Sequence, residues 1–549
     1  MDRRMLLAIV LVLAVIFLTP LLFPPPPVAP PDTAVTTTPA ESAVQRAEPA
    51  LGATPPAAPA PTEAPSASVE SVWVADTLAR FRFLNIGAVL DEVELRSYRA
   101  LGKREGNVVL RAGSAPLLRF EVLADGDTLG FHRTPFHLVR RDNSGKTTLL
   151  SYVGAVGGDT LSLDFGVVAD SYMVHVDGRL SGARVSTART LFLLAEFAPT
   201  LESHEADTLD DQRHLAFAVE PDKRDARAIG FGSLEPGERE VVPGPHKWVA
   251  LKSKYFIVGL LSRPEGSPIA EFSVQGLPRL GRLATQARGV AVVQPERGRF
   301  ALDVYAGPQQ WRRLQAVGRD FVNSNPYGGF LQPIVQPFAV LVMRILLWMH
   351  EVLRLGYGWV LVVFGVAVRL VLWPLNQRAM RTSIKMQRIQ PELAELQKRY
   401  KNDPQKLQAE MMRLYKEHGM SPFSMFSGCL PLLLPMPVLI ALFFVFQSTI
   451  EFRGVSFLWL ADISQKDPYY ILPILMGASM YVLSWIGSRN TPPNPQTKVM
   501  MYVFPAMMTF LLANLASGLN LYYTVQNLAA LPQQWLIANE RARAARDKK

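Results

Sequence analysis

The residue of this sequence best suited to unusual chemistry is Arg369, because it is the only charged residue in a long apolar run. The run GYGWVLVVFGVAVRLVLWPL, residues 356–375, is long enough to cross a bilayer. A charge in the middle of a membrane helix costs roughly 2.5–3.5 kcal/mol on insertion scales. Two interpretations follow. Arg369 extends its guanidinium to the inner interface, about 9 Å away near Leu375, or it serves as a fixed positive charge in a wet cavity.

Other candidate reactive residues give weaker patterns. SGKT at 144–147 resembles the end of a phosphate-binding loop, but Arg140 stands where that motif requires glycine. Three histidines lack the spacing of metal ligands: His132, His137 and His175. The single cysteine, Cys429, excludes an intramolecular disulfide. The sequence therefore predicts no cofactor, no metal site and no enzymatic activity.

The N-terminal 70 residues predict an anchor followed by a linker. Residues 5–23 form an apolar stretch after Asp2, Arg3 and Arg4, typical of a signal peptide or a first membrane helix. The stretch is long for a signal peptide, and PPPP follows where a cleavage site would need small residues, so residues 1–23 favour an uncleaved anchor. Residues 24–70 are rich in Pro, Ala, Thr and Ser and predict an extended linker.

Residues 71–310 predict a large all-β sandwich domain. Short runs with alternating apolar residues, such as ARFRFLNI, LSLDFGVV and RFALDVYAG, are separated by Gly, Pro and Asp. No set of reactive side chains stands out in this region, which favours a binding or spacer role.

The remainder of the chain is mostly apolar. Candidate membrane spans are residues 356–375, 423–448, 469–487, 499–515 and 517–537, the last two forming a tight helical hairpin. Together with the N-terminal anchor they make six spans, none containing Asp or Glu. The region 311–355 contains a further apolar stretch with Arg344, His350 and Glu351, which suits either a span or an amphipathic helix at the interface.

Charge predicts the orientation of these spans. Segment 376–420 contains ten Lys or Arg against five Asp or Glu, and tail 538–549 contains five basic residues, whereas loop 449–468 is slightly acidic. Placing basic segments in the cytoplasm gives six spans with both termini inside and the β domain outside. The 331–353 helix then lies flat on the outer interface. The net charge of +10 is concentrated beside apolar spans, which favours anionic lipids over DNA as partners.

The cytoplasmic segment 376–420 predicts an antiparallel helical hairpin. Apolar residues recur at spacings of three and four on either side of the turn Asn402-Asp403-Pro404: Met386, Ile389, Leu393, Leu396 and Tyr400, then Leu407, Met411 and Leu414. A solvated charged hairpin is the simpler interpretation. Its positive charge also suits lipid headgroups, a ribosome surface or an acidic nascent chain.

Several motifs in this order resemble the YidC membrane protein insertase family, in the Gram-negative form with a large periplasmic domain. They are GWVLVVFGVAVRLVLWPL, QPELAELQKRY, MMRLYKEHGMSP, GCLPLLLPMP, DPYYILPILMG and SGLNLYYTVQNL. The resemblance implies a five-helix core, residues 356–537, enclosing a hydrophilic groove that opens to the cytoplasm and to lipid. It also implies nascent membrane proteins, the Sec translocon and the ribosome as partners, in the bacterial inner membrane.

The resemblance further implies which residues face the groove. Arg369 corresponds to the groove arginine, Met436 and Leu439 to substrate-contacting positions on the next helix, and Tyr522 and Tyr523 to such positions on the last helix. Two departures are visible: Pro435 stands where relatives commonly have Gln, and Gly365 stands where a groove threonine occurs. Both predict a less polar or differently shaped groove.

Two other functional classes remain to be compared with insertion. In a secondary transporter for a small anion, Arg369 would bind the solute, but such transporters usually contain internal repeats, and none is visible here. A sugar-binding module on a membrane anchor would explain the β domain but not five further spans. In protein-free liposomes, protection of a small single-span substrate from protease would indicate an insertase, whereas counterflow of a solute would indicate a transporter.

Overall fold

The computed structural model describes residues 68–102, 105–279, 281–328, 332–400, 403–417, 436–489 and 499–546. The predicted anchor 1–23, nearly all of the linker 24–70, and Pro435 lie outside these ranges. Residues Val69–Lys549 form one compact unit, in which a β-rich part precedes a helical part.

The β-rich part contains eighteen strands between Ser71 and Pro308. They are β1 Ser71–Ala75, β2 Ala79–Leu84, β3 Val89–Arg99, β4 Asn107–Leu110, β5 Leu118–Ala124, β6 Asp127–Thr128, β7 His137–Ser144, β8 Thr147–Val156, β9 Asp159–Val168, β10 Met173–Ser181, β11 Leu191–Phe197, β12 Ala216–Pro221, β13 Arg227–Gly230, β14 Arg239–Lys252, β15 Phe256–Ser262, β16 Ile269–Gly276, β17 Ala287–Val293 and β18 Arg299–Pro308. Two short helices interrupt them, α1 Ala183–Thr187 and α2 Thr208–Arg213.

All strand pairings between these strands are antiparallel, and they form two layers. One run of paired strands is β7–β8–β9–β10–β18–β15–β14–β12–β13, and the other is β1–β2–β3–β5–β11–β17–β16–β14. Strand β14 belongs to both: Arg239–Pro243 pairs with β16, and Trp248–Lys252 pairs with β12 and β15.

The core of the β domain lies between these layers. Alternate residues of a half-buried strand point to one face, so β2 buries Ala79, Phe81 and Phe83 while the residues between them stay partly exposed. Phe83 of one layer contacts Phe165 of the other, with ring centroids 5.0 Å apart. The predicted β-sandwich is therefore confirmed, and period-two alternation was the signal that located it.

The helical part contains eight α-helices among the described residues. They are α3 Trp311–Val317, α4 Gln332–Leu353, α5 Tyr357–Arg399, α6 Pro404–Glu417, α7 Met436–Ser448, α8 Ile471–Ser488, α9 Phe504–Leu512 and α10 Ser517–Arg546. A π-helical turn, Val499–Val503, precedes α9.

Three helices in the described ranges are long and apolar enough to cross a membrane: Gln332–Leu353, Tyr357–Gln377 and Ile471–Ser488. Met436–Ser448 and Met501–Leu512 are apolar but shorter. The count of six spans therefore stays a prediction. Helix α4 satisfies the length and composition of a span, and its flat orientation on the outer interface also stays a prediction.

The span 356–375 and the first arm of the predicted hairpin are one continuous helix, α5, of 43 residues. Helix α6 then packs back against α5 through Ile389 and Tyr415, with Leu393 and Met411 beside them. Three of these four residues belong to the predicted apolar seam. The cytoplasmic location of the hairpin stays a prediction.

Contacts between the helices give their relative directions. Phe364 and Trp373 of α5 meet Tyr522 and Gln533 of α10, respectively, so these helices run the same way. Helix α9 runs opposite to α8, because Thr509 lies against Gly477 whereas Tyr502 lies against Tyr481. These directions agree with the alternation of spans that the charge pattern predicts.

Candidate functional site

Arg369 lies on the face of α5 that packs towards α10, and its side chain is half-buried. Its Nη2 donates a hydrogen bond to Oε1 of Gln533, at 2.8 Å, while its Nε is buried without a partner. Within the described ranges no carboxylate forms an ion pair with it. The predicted spans offer Arg369 no Asp or Glu, and in the structure a neutral amide satisfies one of its donors.

Gln533 is the residue that connects α10 to this arginine. Its side chain is 2% exposed, and its Nε2 donates to the carbonyl oxygen of Trp373, at 3.0 Å. Arg369 and Trp373 are four residues apart and therefore lie on one face of α5. Gln533 thus bridges two successive turns of α5.

Gly365 and Tyr522 form the close contact between α5 and α10, one turn before Arg369. A Cβ at Gly365 would lie 3.0 Å from Cγ1 of Val525 and 3.6 Å from Cδ2 of Tyr522, so glycine permits the close approach. Tyr522 is 1% exposed, packs on Phe364, and accepts a hydrogen bond on its hydroxyl from Gln526. Both residues lie in the packed interior between helices.

The remaining predicted groove residues are partly exposed. Met436 is the first described residue of α7, and Leu439 packs one turn later against the apolar core of the helices. Tyr523 is also partly exposed, on a different side of α10 from its buried neighbour Tyr522. Of the six predicted residues, four retain accessible surface and two support the packing around them.

Sequence reasoning missed a set of buried polar residues on α10: Asn520, Thr524, Gln526, Asn527 and Gln533. Asn527 donates to Oγ of Ser479 on α8, at 3.1 Å, Gln526 donates to the Tyr522 hydroxyl within α10, and Gln533 faces α5. Polar residues within a membrane segment are expensive and usually functional. That rule, applied to NLYYTVQNLAALPQQ, residues 520–534, would have found them.

The end of the helical part next to the β domain is closed by the loop between α7 and α8. The N–H groups of Ser517 and Gly518, at the start of α10, donate to the carbonyl oxygens of Gln465 and Ile463. The first helical N–H groups lack partners within the helix, so this loop satisfies them. Ile450, from the same loop, belongs to the apolar core of the β domain.

A buried ion pair joins this loop to the β domain. Nε of Arg453 donates to both carboxylate oxygens of Glu205, at 2.8 and 2.9 Å, and its Nη2 donates to the carbonyl oxygen of Arg99. The guanidinium also lies 5.5 Å from the ring centre of Phe256. Burial raises the pKa of Glu205 to about 7, although the Arg453 charge opposes this.

A second buried carboxyl lies in the same junction. Oε1 of Glu451 accepts a hydrogen bond from the backbone N–H of Trp311, at 2.9 Å, and Oε2 is buried without a partner. Burial raises the pKa of this carboxyl to about 7. The junction therefore contains two carboxyls that titrate near neutrality, one paired with an arginine and one not.

Comparison with protein families matches two parts of the chain. Residues 72–341 match the model of the YidC periplasmic domain, and residues 348–544 match the model of the 60Kd inner membrane protein. The two models together span the β domain and the helices that hold Arg369.

Two similar whole proteins give the same result. A membrane protein insertase YidC of Anaeromyxobacter dehalogenans is 31% identical over 412 residues, covering 74% of this chain and 71% of that protein. One of Chlorobaculum tepidum is 28% identical over 524 residues, covering 86% and 85%. A crystal structure of an active YidC insertase covers 85% of this chain and 93% of its own, at 20% identity and a TM-score of 0.34.

Proposed function

Because the chain belongs to the YidC family of membrane protein insertases, we propose that it inserts nascent membrane proteins into the bacterial inner membrane. In this proposal Arg369 stands in a hydrophilic groove between the helices, and substrate segments leave the groove into lipid. The observation that carries the proposal is the state of Arg369: a half-buried cation held by a neutral amide, with no carboxylate partner in the described part of the chain.

The energetics of insertion explain why no energy-coupled site is required. A substrate helix of twenty residues gains roughly 6–12 kcal/mol on entering lipid, at −0.3 to −0.6 kcal/mol per apolar residue. The barrier is the polar, often acidic, segment that must cross the hydrocarbon. A wet groove with a fixed positive charge shortens the dry path and offers that segment a transient partner.

The other predicted groove residues have different proposed roles. Met436, Leu439 and Tyr523 retain accessible surface and would contact the apolar substrate segment. Gly365 and Tyr522 would support the α5–α10 contact that positions Arg369. The closed end, where the α7–α8 loop meets the β domain, would face the periplasm.

The basic hairpin, residues 376–420, would receive the nascent chain or the ribosome in the cytoplasm, with the basic tail contributing. The same charges would bind anionic lipids, and the protein would act alone or with the Sec translocon. Deletion of the hairpin should abolish insertion while the helices still assemble. Insertion by the deleted protein at the normal rate would contradict this role.

The experiment uses the full chain in protein-free liposomes, with a single-span substrate whose translocated tail is acidic or has been neutralised. Wild-type protein should protect the substrate from protease without added energy. Arg369→Ala should insert the acidic-tail substrate poorly and the neutral-tail substrate well. Equal defects on both tails would exclude charge attraction, and solute counterflow without substrate protection would favour the transporter.

A further inference from the structure

Gln533 is as deeply buried as any polar residue around Arg369, and both ends of its amide are used. Its Nε2 donates to the Trp373 carbonyl oxygen, and its Oε1 accepts from Arg369. A carbonyl oxygen can only accept, so the amide nitrogen must face Trp373. The amide oxygen is therefore directed at Arg369. The Trp373 carbonyl of α5 thus fixes the orientation of the Gln533 side chain, and that side chain in turn holds Arg369 of the same helix.

The chemical type of this partner matters as much as its position. A glutamate at the same place would form an ion pair with Arg369, and an incoming acidic segment would have to displace it. A neutral amide accepts one hydrogen bond and leaves the net positive charge in place. The guanidinium donors that Gln533 does not use then remain for a second acceptor.

We infer that Gln533 is a positioning residue for Arg369: its amide fixes the guanidinium between α5 and α10 while leaving the charge available to an acidic substrate segment. The inference rests on the proposed function, because it assigns the charge preference of the groove to a residue outside the predicted set. Gln533 acts through Arg369 and has no proposed contact with the substrate.

The adjacent Gln534 provides a matched control. It belongs to the same helix and has the same side chain, but its amide lies against Gly487 of α8. Glutamate at position 534 therefore introduces the same charge one residue away without contacting Arg369. If Gln533→Glu and Gln534→Glu differ in insertion activity, the difference is due to the contact with Arg369 and not to the mere presence of an acid in α10.

The experiment measures insertion of the acidic-tail and neutral-tail substrates into liposomes by full-length variants at matched protein amounts. Gln533→Glu should lower insertion of the acidic-tail substrate about tenfold, because a charged hydrogen bond then occupies Arg369, and should change the neutral-tail substrate little. Gln533→Leu, which removes the acceptor but no charge, should lower acidic-tail insertion about threefold. Gln534→Glu should resemble wild type.

A double variant separates positioning from general packing. In the Arg369→Ala background, Gln533→Leu should have no further effect on either substrate, since its effect passes through the arginine. Equal loss on both tails, or the same loss with and without Arg369, would overturn the inference. If Arg369→Ala discriminates between tails but the Gln533 variants do not, only this inference fails. If Arg369→Ala does not discriminate, charge attraction by Arg369 fails with it, and if wild-type protein protects neither substrate, the proposed insertion activity fails as well.

Discussion

Arg453 is buried and Arg369 is half-buried, and their guanidinium groups have very different partners. Arg453 has a side chain 5% exposed and contacts a carboxylate 2% exposed, a backbone carbonyl and an aromatic ring. Arg369 is half-buried and has one neutral amide partner. The first charge is compensated within the molecule, and the second is not.

This difference separates the two ends of the helical part. At the end next to the β domain, the α7–α8 loop satisfies the start of α10 and inserts Ile450 into the β core. A compensated arginine there stabilises a closed junction. Farther along α5, an uncompensated arginine contributes little to stability and stays available to another molecule. Loss of the buried ion pair should therefore lower stability, whereas loss of the half-buried cation should lower insertion.

The largest expected effect is on stability, from Arg453→Ala. Without Arg453 the Glu205 carboxyl is buried unpaired, and at a pH above its pKa of about 7, where it is charged, the loss costs about 3–5 kcal/mol. Arg369→Ala should change the free energy of unfolding by less than about 1 kcal/mol, because the lost hydrogen bond is offset by removal of a poorly solvated charge. Thermal unfolding of both variants in lipid nanodiscs checks this. Equal destabilisation by the two would refute the comparison.

The next effect concerns pH and uses the unpaired carboxyl of the junction. The pKa of Glu451 in the folded protein is about 7, raised from 4.5 by burial. Protonation therefore favours the folded state: this contribution to stability is fully present below about pH 4.5 and is lost as the pH rises through 7. Its neighbours Tyr98, Tyr305 and Tyr327 are phenols, which do not titrate in that range, whereas Glu205 of the same junction does.

Glu451→Gln should remove this dependence while keeping an oxygen for the Trp311 N–H. Its unfolding free energy should exceed that of wild type at pH 8 by up to about 3 kcal/mol and equal it near pH 4.5. Glu351→Gln is the control, since that carboxylate pairs with Arg312 at the surface. Unfolding curves from pH 4.5 to 8 provide the measurement. A variant with the pH profile of wild type would show that Glu451 does not contribute to the pH dependence, which Glu205 would then explain.

The sequence predicted features that rest on local pattern. Alternation located the β-sandwich, one charge in an apolar run located Arg369, and spacings of three and four located the Ile389–Met411 seam of the hairpin. These signals need only neighbouring residues, because periodicity reflects which face of an element is buried.

The partners of both arginines could not be predicted in this way. Glu205 and Arg453 are 248 positions apart, and Arg369 and Gln533 are 164 apart, so only the fold brings them together. The side of α10 that faces α5 was likewise undetermined. Successive helical residues point about 100° apart, which is why Tyr522 is buried whereas Tyr523 is partly exposed.

Deletion of residues 75–300, with 311–355 retained, is expected to affect insertion only slightly. The β domain contains no predicted substrate residue, so insertion should be mostly intact. Arg453 would lose Glu205 but gain solvent, which lowers the cost of its unpaired charge. Insertion is measured in liposomes at matched amounts of folded protein. Complete loss of insertion by a stably expressed deletion would mean that the closed junction is part of the machinery.

The smallest expected effect is that of Arg369→Lys, and it tests what kind of charge the groove requires. Lysine keeps the positive charge and can still donate to Gln533, but it lacks the planar fork that binds a carboxylate through two parallel hydrogen bonds. A mobile acidic segment offers no fixed geometry for such a fork. Insertion of the acidic-tail substrate should therefore stay within about threefold of wild type, the loss of roughly one neutral hydrogen bond. A lysine variant as defective as Arg369→Ala would instead indicate a fixed, bidentate contact. Arg453→Lys is the contrasting change: there a fixed carboxylate and carbonyl surround the guanidinium, so the same substitution should lower stability measurably.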